Sequence, residues 1–427
     1  MVDPSPHYRK AELNQSPSRL VAFNISGGIF QRIHRIVFPT PPESGAAPGI
    51  LILSGRNGSG KTAILRMISG LIADLNFDPF RQIPFSHASL EFSDGRSLAI
   101  TKTENPEYPL SLKFGDFDCV LYKERGVDQY SAGQQKKIAA FREAALPVVS
   151  QINFEFLDIH RSAALKQTSR EEDDWLKALR GQVKPSPTDR AETLSDRVRR
   201  FMADAQVNYR RFFAAEELEL LPRIVERFHA GDSKRSTPSE LSDRVAAVQK
   251  GFAVMRRFGL QTDDADLKTL GDLLRSEYAR NEHSLTLMEA YVEMQESRQK
   301  ARQLIATRLV EFEQIMDEFL SGKSVRIDAR SGLSIVADKI TLKETDLSSG
   351  EYHFLYMMVA ALLCQRSGSI IAIDEPELSL HVMWQRKVLS ALARCAARAS
   401  PVFLFATHSP AISAEHADKV YHLTPLE

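Results

Sequence analysis

Residues 50–69 read ILILSGRNGSGKTAILRMIS. The apolar run from Ile50 to Leu53 ends at a glycine, the profile of a strand buried on both faces in a parallel sheet. Gly55-Arg56-Asn57-Gly58-Ser59-Gly60-Lys61-Thr62 then matches G-x-x-x-x-G-K-[ST], and AILRMIS continues as good helix-forming sequence. Strand, glycine-rich loop and helix are the context this pattern requires. The glycines let the backbone curl so that successive N–H groups point at phosphate oxygens, beside a helix N-terminus whose dipole favours anions. Lys61 would reach the outer phosphates, and the Thr62 hydroxyl would hold Mg²⁺. The stretch predicts a nucleotide-binding α/β core.

Such a loop needs an acidic partner on a neighbouring strand. Ser369-Ile370-Ile371-Ala372-Ile373-Asp374-Glu375-Pro376 supplies it. Four apolar residues precede Asp374, which would face the metal shell, and Glu375 stands where a base could polarise an attacking water. Upstream, Leu347-Ser348-Ser349-Gly350-Glu351 opens a helix. Hydroxyls, free N–H groups and a helix dipole at Ser348, Ser349 and Gly350 make a second phosphate-binding device. One polypeptide does not normally aim two such devices at one γ-phosphate. If this one faces the loop of a second copy, ATP becomes the glue of a dimer.

The rest of the chain sets limits. In 427 residues, 55 Lys plus Arg balance 55 Asp plus Glu, so bulk charge does not point to coating of nucleic acid; any basic patch is local. The length suits two or three domains. No apolar run approaches the roughly 18–20 residues of a membrane span, and MVDPSPHYRK lacks the apolar core of a secretory signal. Cys119, Cys364 and Cys395 lie far apart, which fits buried thiols in a reducing cytoplasm better than a disulfide or zinc framework. Short β-type segments flank the P-loop, with an antiparallel meander turning at Asp94-Gly95. From Glu171 to Leu320 the texture is helical. Leu287, Tyr291, Met294, Ala301, Ile305, Phe312, Ile315 and Phe319 recur at 4-3 spacing, interrupted by Arg298 and Arg308. They predict a helix of about 35 residues, roughly 50 Å long. Its partner starts near Ser195, and Pro222 should kink or end it. KSVRIDARSGLSIVA predicts a hairpin at Arg330-Ser331-Gly332, and strand–helix alternation then returns to a parallel sheet.

In this order, GRNGSGKT, LSSGE, IIAIDEPELSLH and ATHSP resemble an ABC-type ATPase, with Walker A, signature, Walker B with D-loop, and switch histidine. DEPELSLH with ATHSP is similar to the RecF-like and OLD-like group, related to SMC heads and found in bacterial anti-phage systems. The resemblance implies an α/β ABC-ATPase head: a mixed sheet around the P-loop core, an antiparallel β subdomain, and an inserted α-helical coiled-coil hairpin. The expected segments are a disordered 1–18, a first half of the head at 19–165, a helical insert at 166–320, and a second half at 321–427. It also implies ATP and Mg²⁺ as ligands. Gly55 to Thr62 would cradle the phosphates, with Lys61 in a catalytic role. Thr62 and Asp374 would hold Mg²⁺, Glu375 would be the base, and His408 would contact the γ-phosphate. Ser348, Ser349 and Gly350 would act in trans, with Ser379 to His381 as the D-loop. The Q-loop is open among Gln129, Gln134 and Gln135. Arg161 is a weak candidate for a nucleotide-side contact, against a structural salt bridge.

Function follows by exclusion and likeness. A transporter subunit is compact, whereas here about 285 residues separate Thr62 from Leu347. About 20 residues follow ATHSP, too few for a fused nuclease. A separate effector, nuclease or toxin, is therefore expected beside a cytoplasmic homodimer or larger assembly that acts in anti-phage defence. The alternative is a RecF-like or SMC-like repair ATPase on DNA ends or gaps, which the neutral charge does not support.

Overall fold

The computed structural model describes residues 18–40, 47–73, 75–103, 109–121, 131–158, 193–230, 236–260, 265–397 and 399–423. The readings of residues 1–18 as disordered, apart from Ser18, of Gln129 and Arg161 as candidates, and of the start of the insert at 166 lie outside these; Ser18 is buried and its N–H donates to Gln151 Oε1 (2.6 Å). By contacts the chain divides into one compact unit of Met1–Ala163 with Cys364–Glu427, and a second of Ala164–Leu363.

In chain order the first unit runs through β1 (Leu20–Gly27), β2 (Phe30–Val37), β3 (Gly49–Ser54), α1 (Lys61–Ala73) and α2 (Asp78–Gln82). It continues with β4 (His87–Phe92), β5 (Ser97–Lys102), β6 (Leu110–Phe114), β7 (Phe117–Leu121), α3 (Ala132–Val149) and β8 (Phe154–Leu157). The second unit comprises α4 (Leu194–Ala230), α5 (Pro238–Arg257), α6 (Ala265–Arg275), α7 (Glu282–Phe319), β9 (Ser324–Asp328), β10 (Gly332–Ala337), β11 (Ile340–Leu342) and α8 (Ser349–Leu363). The chain then re-enters the first unit with β12 (Ile370–Asp374), α9 (Val382–Ala396), β13 (Val402–Thr407), α10 (Pro410–Ala414) and β14 (Val420–His422).

Two sheets build the first unit. A parallel sheet has the order β14-β3-β13-β12-β8, and an antiparallel one the order β2-β1-β4-β5-β6-β7. Every residue of β12 and β13 is buried, which is why both read as unbroken apolar runs rather than as alternation. β3 is the strand expected from ILILS, hydrogen-bonded in parallel to β13 and β14. The meander turns at Asp94-Gly95 as its sequence predicts, with Gly95 at φ +83°. Phe141 docks α3 by meeting Phe77 and Phe117 edge-on, at centroid distances of 5.9 and 5.8 Å. Full burial of a phenyl ring of this kind contributes about 1.5–3 kcal/mol.

The second unit pairs α4 with α7, packs α5 along α7, and joins both long helices to the antiparallel sheet β11-β10-β9. The β9–β10 hairpin closes where the sequence predicts, Asp328 opposite Gly332. Helix α7 is 38 residues long and is capped by Asn281, whose Oδ1 accepts from the N–H groups of His283 (2.9 Å) and Ser284 (3.1 Å). The 4-3 seam holds where Phe312, Ile315 and Phe319 are buried, but Leu287 is exposed and Met288 and Val292 are buried instead. Because α4 and α5 both pack on α7, the covered stripe is wider than a two-helix seam and follows 3.6 rather than 3.5 residues per turn. Helix α4 continues through Pro222 to Ala230 rather than ending there. Pro222 is exposed, so the carbonyl left without its amide partner can be met by water. Arg308, an interruption in the sequence pattern, is buried and donates to Ala361 O (3.4 Å) and Leu362 O, the last carbonyls of α8.

The N-terminus of α4 is held by a distant carboxylate. Glu344 Oε2 accepts from Leu194 N (3.1 Å) and Oε1 from Ser195 N (2.8 Å). Burial pushes the Glu344 carboxyl up, against the downward pull of these two donors. Replacing Glu344 by Ala leaves two amides at a helix start without their acceptor. A loss of about 1–2 kcal/mol is expected, read as a lower denaturant midpoint with unchanged slope.

Candidate functional site

The parallel register sets the site. Ser54, the last residue of β3, lies opposite Thr407, and Asp374, the last of β12, lies opposite Ala406. Three strand ends therefore meet at the C-terminal edge of one sheet, the edge at which open α/β sheets bind ligands. The loop Gly55–Gly60 leaves this edge and α1 begins at Lys61. Gly58 and Gly60 have φ of +82° and +89°, a backbone that side chains oppose. A Cβ on Gly60 would stand 2.5 Å from Phe30 Cε1, so the start of β2 leaves no room above the loop.

The loop is closed on itself by its lysine. Lys61 Nζ donates to Gly55 O (2.6 Å) and Arg56 O (3.0 Å), which holds the ammonium against the loop's own carbonyls. Burial pushes the ammonium below its usual range, while Glu375, Asp374 and Glu377 pull it back up. Asp374 is buried, and its carboxyl is raised to about 6, first by burial. The Thr62 hydroxyl bonds that carboxylate and pulls the other way. Asp374 Oδ1 has no hydrogen-bond partner. An unpartnered buried carboxylate oxygen beside a threonine hydroxyl and a lysine fits a hard divalent cation with phosphate, so Thr62 and Asp374 suit Mg²⁺ and Gly55 to Thr62 suit a polyphosphate.

Glu375 follows on the strand at φ +49°, held by its N–H to Ala406 O (2.8 Å). This left-handed turn lifts its carboxyl off the buried strand to partial exposure. His408, on the loop after β13, has Nδ1 3.8 Å from Glu375 Oε1 and 3.1 Å from Glu377 Oε1. Glu377 is the residue that motif reading passed over. Its Oε1 accepts from Thr407 Oγ1 (2.7 Å), His408 N (2.9 Å) and Ser409 N (3.1 Å), and its Oε2 is buried without a partner. The only trace in the sequence is a second acid two residues after Glu375. Its partners lie thirty positions further on, where no local spacing points.

In the segment 379–381, Ser379 has φ +62°, and His381 caps α9 by accepting from Met383 N (3.3 Å) at Nδ1. Gln134 is buried within α3 and Gln135 is exposed on it. Ser348, Ser349 and Gly350 belong to the second unit. There Ser348 N donates to Glu351 Oε2 (2.8 Å) and Ser348 Oγ accepts from Glu351 N (3.3 Å), a reciprocal cap. Lys323 Nζ, at 2.7 Å from both Glu351 oxygens, fixes that carboxylate. Ser348 and Ser349 are exposed at the start of α8. The three cysteines are buried and not joined in disulfides. Among the described residues no helix is long and apolar enough to cross a membrane.

Comparison with known proteins adds a family. Residues 50–414 match the model described as "AAA domain, putative AbiEii toxin, Type IV TA system". Among solved structures, the Smc head domain with an extended coiled coil bound to the C-terminal domain of ScpA, from Pyrococcus furiosus, is 14% identical. That alignment covers 93% of this chain and 91% of that one, with a TM-score of 0.39. The SMC head domain from Thermotoga maritima is 12% identical over 96% of this chain and 99% of that one, with a TM-score of 0.35. No curated protein matches.

Proposed function

The chain belongs to this AAA-domain family, and on that premise we propose that it is an ATP-hydrolysing switch that closes as a homodimer around ATP and governs a separate effector in anti-phage defence. The observation that carries the ATPase reading is the convergence of Lys61, Thr62, Asp374, Glu375 and His408 at one edge of the parallel sheet. Bound Mg²⁺·ATP supplies a γ-phosphoryl group for transfer to water. Lys61 and the loop amides would neutralise the phosphates, with the Lys61 ammonium held beside the loop by Gly55 O and Arg56 O. Thr62 and Asp374 hold the cation. Glu375 accepts the proton of the attacking water, and His408 meets the γ-phosphate side.

Support for the dimer comes from Ser348 and Ser349, exposed at a helix start, where the helix dipole favours anions. With Gly350 they would complete the site of a second copy. A toxin enters the reading through the family description, which names a putative AbiEii toxin and a Type IV TA system. The balanced charge favours a protein partner over nucleic acid.

The test is a mass measurement with Mg²⁺ and either ATP or ADP. ATP should double the mass and ADP should not; a monomer in both rejects the sandwich. Purification from the native operon should bring a second protein along. Salt-sensitive binding to gapped or end-bearing DNA, with no protein partner, would instead favour the repair reading.

A further inference from the structure

We infer that helix α4 carries a second, outward apolar face that docks against the same face of a second copy of this chain, antiparallel and without nucleotide. The helix buries one side, where Val198, Phe201, Ala205, Phe213 and Ile224 are covered. At about 3.6 residues per turn the opposite side carries Val207, Arg211, Ala214, Leu218, Leu221 and Val225, and all six are exposed. Leu218 is 80% exposed and Leu221 69%, so neither rests on any other part of its own chain. A single exposed apolar side chain needs no explanation. A row of them along about 27 Å of one helix face is a contiguous patch of the kind that marks an interaction site.

From Val207 to Val225 the steps are 4, 3, 4, 3 and 4, the period of a coiled-coil seam, which suits another helix as partner. Charge selects an inverted copy of the same helix. Up to Arg211, α4 has five arginines against two aspartates, and from Phe212 onward four glutamates against two arginines. Inversion sets the basic half of each copy beside the acidic half of the other. Within one copy Arg298 already holds Glu217 (2.6 Å) and Arg223 holds Glu219 (2.7 Å), so charge sets the orientation and the apolar side chains supply the affinity.

The side chains fit the same inversion. With position 216 at the midpoint, Val207 meets Val225, Ala214 meets Leu218 and Arg211 meets Leu221 of the second copy. Small faces large near the centre, and the Arg211 stem lies along a leucine with its guanidinium at the rim. A parallel pair would instead stack Arg211 on Arg211 and set each half against its like-charged counterpart. Inversion is a two-fold relation, so the contact closes on two copies. It needs neither Lys61 nor a nucleotide and is separate from the ATP sandwich. A seam of fewer than three heptads with an arginine in it holds two chains only at high concentration. At low concentration ATP alone brings two copies together, and at high concentration the arms join such pairs into assemblies of four.

The experiment is sedimentation of the full chain without nucleotide, from sub-micromolar to high micromolar concentration. The wild type should pass from one copy to two. Leu218→Ser combined with Leu221→Ser should weaken that association at least about 100-fold. The helix signal in circular dichroism should not change, because both side chains are exposed. Orientation is read by disulfide trapping, with the native cysteines buried. Val207→Cys mixed with Val225→Cys should cross-link, and neither variant should cross-link with itself. A wild type that stays single at every concentration overturns the proposal, as does a pair that survives both serine substitutions. Trapping of Val207→Cys with itself shows a parallel pair and also overturns it. A single wild-type chain that co-purifies with a different protein, lost in the serine variant, gives the face to that protein and overturns the second copy as its occupant. Failure of ATP to join the heads would reject the sandwich and leave every one of these outcomes readable, since no nucleotide is present.

Discussion

Glu375→Gln should bind ATP as the wild type does, hydrolyse it about 10²–10⁴-fold more slowly, and accumulate as an ATP-bound dimer. The expectation follows from what the substitution leaves alone. The amide has the size of the carboxyl, and the backbone at φ +49°, anchored by Glu375 N to Ala406 O at 2.8 Å, has no reason to change. Lys61, Thr62 and Asp374 keep their places, so the affinity terms survive. Only the ability to take a proton from water is removed. The carboxyl is partly exposed, so the exchange creates no buried unpaired group. Single-turnover hydrolysis separates this from slow product release, because only the chemical step should slow. Hydrolysis at the wild-type rate would show that Glu375 is not the base and would direct attention to His408. A slow enzyme that never dimerises would preserve the chemistry and reject the sandwich.

Much of this site was legible because its parts are local. The loop Gly55–Thr62, the strand before it and the acidic pair at 374–375 each show in a short window, since backbone curl and strand burial are local matters. The parallel sheet was legible for the same reason: Ile50–Leu53, Ile370–Ile373 and Val402–Ala406 are unbroken apolar runs, as strands covered on both faces tend to be. Features that depend on tertiary partners were not. Arg308 reads as a flaw in a heptad until the carbonyls of Ala361 and Leu362 are beside it. Glu377 reads as a solvated acid in a turn until three donors from 407–409 surround it. The seam of α7 drifted because a second helix packs on the same face, which one helix's periodicity cannot reveal. By contacts, β9 to β11 and α8 belong with the long helices, although their β-type sequence resembles that of the first unit.

Asp374→Asn should make the ligand-free protein more stable while removing its response to Mg²⁺·ATP. The Asp374 carboxyl is shifted from its ordinary 3.8 to about 6, chiefly by burial, so above that range a charge sits where the protein disfavours it. Between about pH 4 and 6 the folded state holds a proton that the unfolded chain has released, and stability therefore falls as pH rises through that window. The full penalty is about 3 kcal/mol at neutral pH. Asparagine removes it but brings an amide N–H₂ to the place of the unpartnered Oδ1, at a cost of about 1–3 kcal/mol, so the net gain should be at most about 2 kcal/mol. The advantage of the variant should fade as pH is lowered from 6 to 4, because the wild-type carboxyl is then neutral as well. Adding Mg²⁺·ATP should reverse the order: the wild type gains thermal stability by mass action, and the variant, with no anionic oxygen for the cation, gains little. Equal stability of the two proteins at neutral pH, with no pH dependence in their difference, would mean that Asp374 is not held against its charge. In that case burial is not what readies this carboxylate for a cation.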